Sequence, residues 1–180
     1  SLKGNSALVD SLYTGVENKK LIIELRSPYC TPTIPLEIIV KTPQITAFTL
    51  AEKSNTVVAD FKNLQKLKIQ VNSNSKVALN ELEGLNVLDI SLQEGAHIIS
   101  YKEIKEVDLL KVNIKGNGSF NGYPIAAQNV EIKIEGKGSF EVTVLRRLEM
   151  DIIGNANVYC MGMPKIHKRI TGKGDVHFTN

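Results

Sequence analysis

The chain has 180 residues, 42% of them apolar and 23% charged, and its 22 basic and 19 acidic side chains leave a net charge of +3. That is enough for one domain with a real core, and the composition is that of an ordinary globular protein. There is no concentrated Lys/Arg run, no Trp and few aromatics, which argues against nucleic acid as a partner, and no apolar stretch reaches the ~18 residues of a transmembrane helix.

No signal peptide is visible, and the chain opens Ser1-Leu2-Lys3 without a Met, as a processed or trimmed piece of a longer protein would. Ser6 to Tyr13 reads as a short helix with Ser6 as its N-cap. Leu21–Leu25 and Leu36–Val40 read as strands, separated by a Pro-flanked loop that holds Cys30. A degenerate coil follows around Phe48–Leu50 and Thr56–Val58, with Glu52 at its corner. Terminal coils of solenoids are atypical because they cover an open core end, so residues 1–45 are assigned a capping role and residues 46–180 the repeat coils of one domain.

From there a short unit returns at nearly fixed period. It reads Ile114-Lys-Gly116-Asn-Gly118-Ser-Phe120, Ile134-Glu-Gly136-Lys-Gly138-Ser-Phe140, Ile152-Ile-Gly154-Asn-Ala156-Asn-Val158 and Ile170-Thr-Gly172-Lys-Gly174-Asp-Val176. Ser73 and Glu94 occupy the same corner position in two earlier units, and the spacing runs from 18 to 22 residues. Columns taken nine, six, four and two residues before each corner, and four after, are apolar at 29 of 30 positions. The chain's composition alone would give about 13. The exception is Lys168; the column nine before the corner includes Leu145 and Met163. Apolar and polar residues alternate within each unit, as in Val130-Glu-Ile132-Lys-Ile134, so each is a strand with one buried face.

Gly supplies the positive φ that a sharp corner needs. Units this short have no room for crossover helices, so successive coils must stack directly in parallel. The predicted fold is an all-β, right-handed parallel β-helix of about six to seven coils, with Phe120 lying over Phe140. Gly116, Gly118, Gly136, Gly138, Gly154, Gly172 and Gly174 are its structural corners.

The candidates for chemistry are few. Gly116-Asn-Gly118-Ser has the look of a phosphate loop, but Phe120-Asn-Gly122-Tyr-Pro124 follows where a helix would have to start. His97, His167 and His177 lack metal-site spacing. Glu131, Lys133, Glu149 and Asp151 alternate in sign, as on a solvated face, rather than forming an acid pair framed by loops. Cys160 falls in an inward column and reads as a buried small hydrophobe, with a bridge to Cys30 as the alternative. No catalytic residue, metal site or cofactor is predicted. What remains is the outward rows, with Lys111, Lys115, Lys133, Lys137 and Lys173 as a candidate binding surface suited to extended polymers.

The glycine corners, the ending Asn157-Val-Tyr-Cys-Met-Gly-Met-Pro164 with Gly172-Lys-Gly174-Asp-Val176, and the segment Pro35-Leu-Glu-Ile-Ile-Val-Lys-Thr-Pro43 together resemble the putative autotransporter adhesin, head GIN domain family. The resemblance spans nearly the whole chain, with Ser73, Glu94 and Ala156 departing from its small corners. It implies a right-handed parallel β-helix, export to a Gram-negative cell envelope and an adhesin role, and it supplies no catalytic residues. The leading expectation is a non-enzymatic envelope or surface module that binds a glycan or an extracellular protein. The alternatives are a structural module that self-associates into a homo-oligomer, and a glycan-active enzyme.

Overall fold

The computed structural model describes residues 1–3, 9–26, 37–51 and 53–179. They form two compact units, Ser1–Thr42 and Pro43–Asn180.

Among its described residues the first unit holds four strands. β1 (Leu2–Lys3) pairs antiparallel with β4 (Glu37–Ile38), and β2 (Leu12–Glu17) pairs antiparallel with β3 (Lys20–Leu25). The β2–β3 turn is Asn18-Lys19, with φ of 50° and 64°. Two successive positive φ values match the twist of a tight hairpin. The helix predicted over Ser6–Tyr13 is therefore overturned at its C-terminal end. Val9 and Asp10 are helical, but Leu12 and Tyr13 open β2, because pairing with Glu24 and Leu25 satisfies their backbone. Ser6, Cys30 and Glu52 lie outside the described residues.

The second unit is a parallel β-solenoid of about seven turns. One long side is built from β5 (Ala47–Leu50), β7 (Lys66–Val71), β9 (Val87–Gln93), β11 (Ile104–Gly116), the later halves of β12 (Ser119–Gly136) and β13 (Ser139–Gly154), and β15 (Lys165–Gly172). The second side is built from β6 (Asn55–Val58), β8 (Lys76–Leu79), β10 (His97–Ser100), the early halves of β12 and β13, β14 (Asn157–Met161) and β16 (Asp175–Thr179). The pairs Phe61↔Leu82 and Ile104↔Ile125 mark a short third side.

The columns stack as the sequence periodicity requires. Ile114, Ile134, Ile152 and Ile170 are register partners from coil to coil, and Phe120 lies over Phe140 with centroids 5.0 Å apart and planes at 18°. Gly122 leaves the space that the Phe120 ring fills. The core runs continuously from Val58 to Cys160. Its two buried serines are satisfied: Ser75 Oγ accepts from the Ser54 N–H, and Ser100 Oγ donates to the Lys102 carbonyl. Cys160 is a fully buried free thiol, and burial pushes its pKa from 9.0 to about 11.

One predicted column breaks. Leu145 is 52% exposed and its neighbour Val144 is buried instead. Coils of 18 residues drop residues from the third side, and the register slips between Gly122 and Ala126 and again between Ala127 and Asn129. A one-residue slip in a strand exchanges the inward and outward faces, so Val144 rather than Leu145 opposes Ala127. Met163, beyond the Gly162 corner, is 87% exposed.

Candidate binding surface

The corner glycines form a ladder of their own. Gly136, Gly154 and Gly172 have φ of 130°, 126° and 126°, a region open essentially only to glycine. In each, the place a Cβ would take is occupied by the carbonyl oxygen of the corner glycine one coil earlier. Ser73 and Glu94 turn differently, at φ of 45° and 41°, in the left-handed region that other residues tolerate. Two turn geometries thus explain why only the later corners demand glycine. Gly118, Gly138 and Gly174 do not have positive φ, and they serve close packing against the previous coil. The equivalent Ala156 is fully buried. None of these glycines presents a free N–H cluster: Lys137, Asn155 and Lys173 each donate their backbone N–H to the corner carbonyl of the previous coil.

The five candidate lysines do not form one surface. Lys111 and Lys133 lie on the first long side, Lys115 one column further along its strands, and Lys137 and Lys173 in the corner row. Lys111 Nζ donates to Glu131 Oε2 at 2.6 Å, and that bond with Glu131's charge raises its pKa. Lys133 Nζ reaches along its own strand to Glu135 Oε1 at 2.7 Å, which raises Lys133 and lowers Glu135.

The first side holds a shallow trough of about 500 Å³ that crosses five coils, from Asp89 and Ser91 to His167 and Arg169. Its walls are two outward columns, Lys111–Glu131–Glu149 and Asn113–Lys133–Asp151, with Val112, Ile132 and Met150 just visible at its floor. Asn113 Oδ1 and Asp151 Oδ1 are buried and have no donor among the described residues. Lys133, which sits between them in register, has turned to Glu135 instead. The trough thus offers two unsatisfied acceptors flanking a cation, roughly 10 Å apart at two strand spacings. The sequence identified Lys133 and Asp151 as outward but missed Asn113; its signal was the shared column, three residues before the corner.

A second recess, about 440 Å³, lies on the other side, where His97 Nδ1 and Ser119 Oγ share a 2.5 Å hydrogen bond. On that side Tyr159 stacks on His177 at 4.9 Å, and burial, with Glu141 nearby, pushes the Tyr123 phenol above its ordinary value. Among the described residues, no group of three His, Cys, Asp or Glu side chains could hold a metal ion. No described helix is long and apolar enough to cross a membrane.

Three solved structures share this architecture. A putative adhesin from Parabacteroides merdae aligns at a TM-score of 0.71 with 20% identity, over 99% of this chain and 82% of that one. A putative adhesin from Parabacteroides distasonis aligns at 0.68 with 19% identity, over 99% and 82%. A putative lipid binding protein from Parabacteroides distasonis aligns at 0.60 with 19% identity, over 99% and 83%. At such identities the likeness is one of fold. No curated protein matches the chain. Residues 1–164, which include the Gly116, Gly136 and Gly154 corners and all but the last coil, match the family described as putative auto-transporter adhesin, head GIN domain, and the chain belongs to that family.

Proposed function

We propose that this protein is a non-catalytic adhesion module of the cell envelope or surface, and that its first-side trough takes an extended, hydroxyl-rich polymer, a glycan chain. The adhesin family supports the adhesive role and the surface setting. The observation that carries the ligand class is the pair of buried, unsatisfied acceptors, Asn113 Oδ1 and Asp151 Oδ1, on side chains that line the trough. Unsatisfied buried acceptors cost free energy, and sugar hydroxyls are donors that would satisfy them. The strand repeat sets the ladder of polar groups at about 4.8 Å, so a polymer can engage several coils at once.

A glycan and matrix-protein array tests this reading. The wild-type protein is expected to retain extended glycans, and the Asn113→Ala/Asp151→Ala double variant to lose at least tenfold in affinity. Retention of matrix proteins alone, release of shortened glycan products, or equal binding by the double variant would each overturn it.

A further inference from the structure

The net charge of the molecule resides in its last coil. Residues 1–160 carry eighteen basic and eighteen acidic side chains, whereas residues 161–180 carry Lys165, Lys168, Arg169 and Lys173 against Asp175 alone. In the preceding coils the basic and acidic side chains balance, and some meet directly, as in Lys111–Glu131, Lys133–Glu135 and Arg147–Glu149. Among the described residues those four make no ion pair. The same coil exposes apolar surface: Ile166 and Phe178 are each 44% exposed. It also exposes backbone, because β15 pairs only with β13 and β16 only with β14 among the described residues.

Lys168 gives this edge its selectivity. It is the register partner of Met150 and follows Ile69, Ile90, Val112, Ile132 and Met150 in an inward column. All five are buried, with exposures between 0% and 4%. Any strand that adds to β15 must therefore cover Lys168 as part of a core. An apolar residue there would strand a desolvated charge, and only a carboxylate compensates it.

We infer that the β15 edge is a docking site for an acidic, amphipathic strand of another protein. The strand adds in parallel to β15, with apolar residues facing Ile166 and Ile170 and a carboxylate facing Lys168. Further acids on its outer face pair with His167, in the column of Lys111 and Glu131, and with Arg169 in the next outward column. A second copy of this chain does not fit. Stacked head to tail, its β5 would set Phe48, the same column's first residue, over Lys168. Stacked tail to tail, the two β15 strands would run antiparallel and bring the Lys165, Lys168 and Arg169 cations of one copy against the same cluster of the other. A lipid surface fits poorly too, since the free N–H and C=O groups of the edge need polar partners that hydrocarbon lacks. Main-chain pairing supplies affinity in this mode and the alternate side chains supply specificity.

The test uses the full chain and two labelled ten-residue peptides, one centred on Val-Asp-Glu-Asp-Val and one on Val-Asp-Lys-Asp-Val, read by fluorescence anisotropy. The wild-type protein is expected to bind the Glu peptide at least about tenfold more tightly than the Lys peptide. Lys168→Glu is expected to invert that order. Lys168→Met, which restores the apolar column and so guards against a folding failure in the charge-reversed variant, is expected to bind both peptides more weakly than the wild type binds the Glu peptide, with the preference gone. No binding of either peptide, or a preference unmoved by both variants, would overturn the proposal. So would binding to phosphatidylglycerol vesicles without peptide binding, or dimerisation abolished by Lys168→Glu. Because Asn113 and Asp151 lie on β11 and β13 rather than on β15, Asn113→Ala/Asp151→Ala is expected to leave peptide binding unchanged.

Discussion

At each late corner the limiting surface is backbone. A methyl at Gly154 would occupy the position of the Gly136 carbonyl, on a backbone whose φ of 126° already disfavours any side chain. Gly154→Ala is therefore expected to cost roughly 3 kcal/mol or more, from strain and from a clash that cannot relax without parting two coils. At Gly118 the nearest atoms to an added methyl are the Ala96 carbonyl at 3.1 Å and the Ile114 and Leu92 side chains at 3.2 Å. Gly118→Ala is expected to cost less than about 1.5 kcal/mol, as the buried Ala156 indicates for the equivalent position. Urea midpoints of the two variants check the order. Cys160 makes a pH-dependent prediction. Burial penalises its thiolate, so the pKa rises from 9.0 to about 11 in the fold. The stabilisation is complete below the unfolded-state value and is lost as pH rises through about 11. Unfolding free energy is expected to fall more steeply between pH 9 and 11 in the wild type than in Cys160→Ala, and the native thiol is expected to resist alkylation at pH 8 until denaturant exposes it.

At the scale of the element, stability comes from neighbours one coil away. The Phe120–Phe140 stack joins two coils through one ring pair, and both rings are buried. Phe140→Ala is expected to cost about 3–5 kcal/mol, measured by chemical denaturation. Strands and their register were legible in the sequence because the period of two and the repeat of about 20 act together: Leu67, Ile69 and Val71 predict their own partners Leu88, Ile90 and Leu92. Two elements were not legible. β2 follows a sequence with a helix-like N-cap at Ser6, and its turn at Asn18-Lys19 lacks the glycine that usually announces a hairpin. Leu145 was assigned to the core because a column count cannot show where a shortened coil places its bulge.

At the scale of the solenoid unit, Pro43–Asn180, the outward rows divide into regions with different chemistry. The trough is nearly balanced in charge and runs from β9 to β15, while the last coil as a whole holds the molecule's excess of cations. Sequence periodicity placed all five candidate lysines on the outside, but it could not show that Lys111 and Lys133 would be consumed by Glu131 and Glu135. Those pairings depend on side-chain reach, which a column alignment does not encode. The same pairings leave Asn113 Oδ1 and Asp151 Oδ1 without donors, so the binding reading moves from the lysines to the acceptors beside them. Chain-length titration of a glycan retained by the protein tests that reading most directly, by calorimetry on oligomers of increasing length. Affinity is expected to rise with each added sugar until the chain spans the five coils of the trough and then to level off, with the rise abolished in Asn113→Ala/Asp151→Ala. An affinity independent of chain length, or a rise that survives the double variant, would contradict binding along the trough.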